Sequence, residues 1–147
     1  MKVSDILKAK GSAQVHTITP NRTLAEAIAL ACENRIGALL VADEKGEPVG
    51  ILTERDILYE CNARTDFSKK LVSETMTKTI VSAKPTDDLN LAMDMMINQE
   101  IRHLPVMDDD GLHGIITIRD MIYAMRKADE ADVQYLVDYI KGNIRVE

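Results

Sequence analysis

The nonapeptide GILTERDIL at residues 50–58 recurs as GIITIRDMI at residues 114–122, and each closes one of two longer stretches that resemble each other. Residues 15–58 align with residues 80–122 at an offset of 65, which becomes 64 after one deletion, and thirteen aligned positions are identical. The chain therefore contains an internal repeat. A unit of this size is too short to bury its own core, so we expect it to pack against its twin, with a seam in which a ligand could bind.

Both repeats show the same order of predicted elements. A β-rich segment leads to a helix with apolar residues at i, i+3, i+4 and i+7, then to two strands, and then to a helix that begins near Asp56 or Asp120. The predicted strands are residues 15–18, 38–41 and 49–52 in the first repeat and residues 79–82, 104–107 and 114–116 in the second. The order β-α-β-β-α in each half predicts an α+β fold (of α/β type). Pro105 inside a predicted strand favours an edge or a bulge over a central position.

Three segments lie outside the repeats. Short helical patterns at residues 3–7 and 72–76 precede the two repeats, and each is predicted to pack against the repeat that follows it. The predicted domains are residues 1–71 (the first repeat with its lead-in), 72–128 (the second repeat) and 129–147 (a C-terminal helix). The apolar stripe of that last helix fits packing onto the same chain, or contact with a partner, most simply in a homodimer.

Composition and charge exclude several classes of protein. Apolar residues make up 46% of the 147 residues and aromatic residues only 3%, so the core is expected to be aliphatic. The formal net charge of −6 disfavours binding to nucleic acid or to an anionic membrane. No apolar run reaches the roughly 18 residues of a membrane span. The first residues, MKVSDILKAKG, lack the apolar stretch of a secretory signal, so we expect a cytoplasmic protein.

The residues that could carry chemistry do not form a catalytic or metal-binding set. Cys32, Cys61 and the three histidines lack the spacing of metal ligands, so no metal site is predicted. The three aspartates at 108–110 match a turn that carries a lysine in the first repeat, which favours a turn over a cation site. Because the sequence also lacks a nucleophile signature, a P-loop and a paired-carboxylate arrangement, we expect that the protein is not an enzyme.

The motif Gly-x-x-Thr-x-x-Asp, present once in each repeat, is the most informative chemical signal. Its threonines, Thr53 and Thr117, lie where a strand turns into a helix, and a helix start offers unpaired N–H groups to an anion such as phosphate. An aspartate one turn later can accept hydrogen bonds from ribose hydroxyls, and Arg55 and Arg119 could add positive charge. The alternative is that Thr-x-x-Asp is only a capping box and needs no ligand.

Taken together, these motifs resemble a known family. The two β-α-β-β-α repeats, the strand Arg102-His103-Leu104-Pro105-Val106 and the doubled Gly-x-x-Thr-x-x-Asp are similar to a tandem cystathionine β-synthase (CBS) domain pair, or Bateman module, over about residues 1–130. The resemblance implies two repeats packed with pseudo-twofold symmetry and two clefts between them. It also implies a regulatory module, with no required cofactor, that binds an adenine nucleotide (AMP, ADP, ATP, NAD(H) or S-adenosylmethionine) and often forms flat dimers.

The resemblance assigns roles to particular residues. Thr53 and Thr117 would contact phosphate, and Asp56 and Asp120 would bind the ribose hydroxyls. Arg102 and His103 would face a phosphate from across the cleft. The backbone of the leading strands would contact the base at Thr17, Ile18, Ser82 and Ala83. The first repeat has Gly37 and Ala38 in place of Arg102 and His103, so the resemblance does not establish that both clefts are occupied alike.

Two functions remain open from the sequence. The first is a stand-alone signal-transduction module that binds adenine nucleotide and modulates a separate protein whose identity is unknown. The second is a protein-interaction scaffold with empty clefts, in which the capping boxes are only structural.

Overall fold

The computed structural model describes residues 1–11 and 15–141. In chain order the elements are α1 (Val3–Lys10), β1 (Thr17–Ile18), α2 (Leu24–Asn34), β2 (Ala38–Ala42), β3 (Pro48–Thr53), α3 (Glu54–Asn62), α4 (Val72–Thr75), α5 (Leu89–Asn98), β4 (His103–Asp108), β5 (Gly111–Thr117) and α6 (Ile118–Ile140). Six helices and two small sheets among these residues confirm the predicted α+β fold.

The first repeat forms a three-stranded sheet in the order β1-β2-β3, with β1 parallel and β3 antiparallel to the central β2. Every residue of β2 is buried. Helix α2 covers this sheet because Leu24 and Ala27, three positions apart on one helical face, enter the same core as Leu39 and Val41. The final helix α3 then begins directly after β3, with Thr53 as its N-cap.

The second repeat departs from the prediction in its leading strand. The predicted strand at residues 79–82 is replaced by one isolated parallel bridge, from Ala83 to Val106, beside the two-stranded sheet β4-β5. Pro105 is the physical reason. It stands at the position of Leu40, which pairs with β1 in the first repeat, and proline has no N–H with which to extend such a ladder. β4 also carries a register shift between Val106 and Met107, but β2 has the same shift between Val41 and Ala42, so Pro105 is not its cause.

The two lead-in helices pack opposite to the prediction, because each covers the other repeat. Val3 and Ile6 of α1 are buried in the core of the second repeat, together with Leu104 and Ile116. Val72 of α4 is buried in the core of the first repeat. The prediction that each lead-in packs on its own repeat is therefore wrong. An amphipathic pattern shows which face of a helix is buried, but it does not show which surface buries it.

Equivalent backbone hydrogen bonds hold each lead-in helix on the other repeat, an arrangement that we call the exchange of the lead-in helices. The N–H of Val3 donates to the carbonyl of Asp87 at 2.9 Å, and the N–H of Val72 donates to the carbonyl of Arg22 at 2.8 Å. Asp87 and Arg22 occupy equivalent positions in the two repeats. The exchange therefore joins the two halves into one folding unit.

The motif glycines lie where the exchanged segments cross a strand. A Cβ built on Gly114 would be 2.9 Å from Cδ2 of Leu7, and one on Gly50 would be 2.6 Å from Sδ of Met76 and 3.0 Å from the carbonyl oxygen of Thr77. A larger residue at Gly50 would clash with the Thr77 backbone, and one at Gly114 would require the Leu7 side chain to move. Close approach of the crossing segment is thus a reason for glycine at Gly50.

The last helix is longer than predicted from the repeat alone. α6 runs without a break through the predicted boundary at residues 128/129 and ends at Ile140. In its predicted apolar stripe, Val133 and Ile140 are exposed and Val137 is partly buried. Residues 142–147 of the predicted C-terminal helix lie outside the described residues. None of the helices described is both long and apolar enough to cross a membrane.

Candidate functional site

Two cavities lie at the seam between the repeats. The first, which we call the Thr117 cleft, has a volume of about 270 Å³ and is lined by part of β5 including Thr117, by residues 35–38 and by Lys10 at the end of α1. The second, the Thr53 cleft, has a volume of about 210 Å³ and is lined by the start of α3 and by residues 99–103. Each cleft thus joins the Thr-x-x-Asp end of one repeat to the loop before the middle strand of the other.

The Thr-x-x-Asp motif forms a capping box in both repeats. The N–H of Thr53 donates to Oδ2 of Asp56 at 2.9 Å, and the N–H of Asp56 donates to Oγ1 of Thr53 at 3.4 Å. The same two contacts join Thr117 and Asp120 at 2.8 and 3.1 Å. Capping, the alternative reading of the motif, is therefore real. It remains compatible with ligand binding, because the threonine N–H bonds to Oδ2 of the aspartate in each motif, and Oδ1 stays able to accept a hydrogen bond.

Arg102 lies across the cleft from the first motif, as the resemblance implied. It lines the Thr53 cleft together with Thr53, Arg55 and Asp56. Its guanidinium donates to Oε1 of Glu54, the first residue of α3, at 2.8 Å. Glu54 is a functional candidate that the sequence analysis missed, although it stands inside the motif.

His103 lines both clefts. The Thr117 cleft also contains two cationic side chains, Arg35 and Lys10, that were not predicted from the sequence. Arg35 lines this cleft beside Gly37. Lys10 donates from Nζ to Oδ2 of Asp120 at 2.9 Å and to the carbonyl of Ile115 at 2.8 Å. No local motif could have identified Lys10, because it reaches the cleft only through the exchange of α1.

Six predicted site residues lie outside the lining of the two clefts. Thr17 and Ile18 of β1, and Ser82 and Ala83 of the bridged segment, are displaced from it, and Ile18 and Ala83 are buried in the cores. The leading segments line the clefts just before these residues, through Val15, His16, Thr79 and Val81. Arg119 is exposed and outside the cavity linings, whereas Arg55 lines the Thr53 cleft. Asp120, the sixth, is bonded to Lys10 of the Thr117 cleft but is not part of its lining.

The surroundings of Asp120 and His103 lower the pKa values of both side chains. Burial disfavours ionisation of Asp120, but the hydrogen bonds from Lys10 and from the Thr117 backbone outweigh it and hold the pKa of Asp120 below its usual range. Burial lowers the pKa of His103; the Glu54 carboxylate opposes this effect, and the positive charges of Arg102 and Lys10 add to it. At neutral pH His103, which lines the clefts, is therefore neutral, and Asp120, bonded to Lys10, is ionised.

We expect His103 to make the fold less stable in mild acid. Its pKa is lower in the folded than in the unfolded chain, so its contribution to stability is present above pH 6.5 and is lost as pH falls through the lowered pKa. Urea unfolding between about pH 7.5 and pH 5 should show the stability of the wild type falling relative to that of His103→Gln. A difference between the two proteins that stays constant over this range would contradict the expectation.

Comparison with known proteins agrees with this architecture. The sequence model of the CBS domain matches residues 3–62 and 72–127. An uncharacterized 17.7 kDa protein of Acidianus ambivalens is 38% identical over 142 residues, which cover 96% of this chain and 83% of the relative. The inosine-5'-monophosphate dehydrogenase of Nitrosopumilus maritimus is 33% identical over 126 residues, but the match covers only 25% of that enzyme.

Solved structures with adenosine ligands share the fold. The CBS domain pair of protein MJ0100, in complex with 5'-methylthioadenosine and S-adenosyl-L-methionine, is 28% identical with a TM-score of 0.76, covering 87% of this chain and 98% of that one. CBSX2 in complex with AMP is 25% identical with a TM-score of 0.73, at the same coverage of both chains. With two matched domains over most of its length, the chain belongs to the family of CBS domain proteins.

Proposed function

We propose that the chain is a stand-alone regulatory module that binds an adenine nucleotide (AMP, ADP, ATP or NAD(H)) between its repeats and modulates a separate protein in the cytoplasm. The observation that carries the proposal is the pairing of each Thr-x-x-Asp helix start with a cavity of about 210 to 270 Å³ at the seam. Related CBS domain proteins hold AMP, 5'-methylthioadenosine and S-adenosyl-L-methionine, which share the adenosine group.

The geometry suits the sugar and phosphate of such a ligand. In both motifs the oxygen Oδ2 of the aspartate is used in the cap, so Oδ1 can accept a hydrogen bond from a ribose hydroxyl. The Thr53 and Thr117 hydroxyls lie at helix starts, where N–H groups and the helix dipole favour an anion. We assign ribose to Asp56 and Asp120 and phosphate to Thr53 and Thr117. We place the base against the backbone of the leading segments, at Val15, His16, Thr79 and Val81, which line the clefts in place of the residues that the resemblance implied.

Calorimetric titration of the intact protein with AMP, ATP and NADH tests the proposal. At least one of them should bind, and at 100 times its dissociation constant it should add about 2.7 kcal/mol to the free energy of unfolding. Uridine monophosphate, which carries the same ribose phosphate on another base, is the control and should bind far more weakly. If none of the adenine ligands binds or stabilises the protein, the proposal fails.

A scaffold with empty clefts is the second candidate function. The observation in its favour is that both capping boxes are complete without a ligand. The same titration separates the two functions, because a scaffold gives no heat and no stabilisation with any of the nucleotides.

The apolar surface of the two repeat-ending helices supports a homodimer. Leu58 and Tyr59 on α3 are 65% and 66% exposed, and the equivalent Ile122 and Tyr123 on α6 are 58% and 60% exposed. Aliphatic and aromatic side chains are thus exposed at matching positions of both repeats, and a second copy of this chain could bury them. The protein target of the module would then contact the dimer.

We therefore expect the wild type to sediment as a dimer, and Leu58→Glu combined with Ile122→Glu to sediment as a monomer, since the charges would have to be desolvated in the interface. Lys45→Glu, in the exposed turn between β2 and β3, also adds negative charge and should leave the mass unchanged. A wild type that is monomeric at micromolar concentration would contradict the prediction.

A further inference from the structure

Glu54 makes the two clefts chemically different. It is the residue directly after the motif threonine Thr53, and its carboxylate accepts a hydrogen bond from Arg102 at 2.8 Å. The equivalent residue after Thr117 is Ile118, which has no charge. A carboxylate at the first position of a helix interacts favourably with the helix dipole and with the facing arginine. These are the same interactions that the phosphate of a ligand would make there. The Thr53 cleft thus carries an internal anion next to its phosphate position.

Gly37 explains how the Glu54 side chain is accommodated there. A Cβ on Gly37 would lie 3.2 Å from both Cδ and Oε1 of Glu54, so the absence of a side chain at residue 37 leaves room for the carboxylate. The N–H of Glu54 also donates to the carbonyl of Gly37 at 3.0 Å. The two substitutions relative to the second repeat, glycine for arginine and glutamate for isoleucine, are therefore coupled in space.

The net charge of the lining residues is negative in the Thr53 cleft and positive in the Thr117 cleft. The Thr53 cleft is lined by three acidic residues, Glu54, Asp56 and Glu100, and by two arginines. The Thr117 cleft is lined by Lys10 and Arg35, with no carboxylate in its lining. Asp120 lies beside it and is bonded to Lys10, which uses two of its three donors on the protein and retains one. A phosphate dianion is favoured in the Thr117 cleft and repelled in the Thr53 cleft.

We propose that the clefts take different classes of adenosine ligand. The Thr117 cleft binds the phosphorylated nucleotide, with Lys10 and Arg35 as its phosphate-binding cations. The Thr53 cleft selects an adenosine derivative that lacks phosphate, such as a 5'-thioether or sulfonium compound, and Glu54 is the residue that determines this selectivity. This inference rests on the proposed function and deepens it. It restricts the phosphate position proposed above to Thr117 and removes it from Thr53, although the resemblance implied that Arg102 and His103 would face a phosphate.

A titration of the intact chain with two ligands tests this assignment. AMP should bind the wild type with one high-affinity site per chain. When AMP is saturating, 5'-methylthioadenosine should still bind with one equivalent, because the Thr53 cleft remains available. Glu54→Gln keeps the size of the side chain and removes its charge, so a second AMP site should appear, with affinity raised at least about tenfold over the wild-type Thr53 cleft. Lys10→Gln should weaken the first AMP site and leave binding of 5'-methylthioadenosine to the Thr53 cleft unchanged.

The possible outcomes separate the inference from the proposed function. Two AMP sites of equal affinity in the wild type, or a Glu54→Gln variant that still binds one AMP, would overturn the inference while leaving nucleotide binding intact. Competition between AMP and 5'-methylthioadenosine for a single site would also overturn it. Absence of binding by either compound would instead defeat the proposed function itself.

Discussion

Replacing Asp120 with asparagine is expected to weaken AMP binding by about 100-fold, because two hydrogen bonds from ribose hydroxyls to a charged acceptor are lost. Asparagine has one oxygen, and the cap uses it to accept from the N–H of Thr117, as Oδ2 of Asp120 does at 2.8 Å. The amide nitrogen then faces the ligand and cannot accept a hydrogen bond. Calorimetric titration with AMP measures the loss.

The asparagine variant should remain folded, which circular dichroism and a thermal melt can verify. Asp109→Asn, in the exposed turn between β4 and β5, removes the same charge far from the motif and is the matched control. AMP affinity equal to that of the control would show that Asp120 only caps α6.

The second large effect concerns the exchange of the lead-in helices. Ile6 is buried in the core of the second repeat, so Ile6→Ala is expected to lower the free energy of unfolding by about 2 to 5 kcal/mol. The amides of β4 and β5 in the second repeat should lose protection against hydrogen exchange most, although α1 precedes the first repeat in sequence. Hydrogen exchange measured by mass spectrometry locates the change.

Val72→Ala provides the reciprocal control. Val72 lies in the core of the first repeat, so amides of β2 and β3 should lose protection most. If each substitution instead loosened the repeat that follows it in the chain, the packing described for α1 and α4 would be wrong.

Local signals in the sequence predicted most of the fold. The offset between Gly50-Thr53-Asp56 and its copy defined the repeats, and the caps formed as the Thr-x-x-Asp spacing predicted. The position of Arg102 across from Thr53 followed from the resemblance and from the place of the loop before β4. These features depend on residues within a few positions of one another, or on one alignment.

The features that were not predicted depend on distant contacts. Lys10 meets Asp120 across a separation of 110 residues, and it does so only because α1 packs on the second repeat. Glu54 matters because Arg102 faces it, 48 residues away. The shortened leading strand of the second repeat was predictable in principle, since Pro105 lacks the donor that Leu40 has.

The length of α6 has a mechanical consequence. The helix starts beside Asp120 and continues for 23 residues, so it is a stiff rod about 34 Å long. A tilt of about 5° at its base would displace its far tip by roughly 3 Å, which is about two residues of helical rise. If the proposed ligand shifted the start of α6, the movement would be magnified at the exposed end, where a neighbouring molecule could sense it.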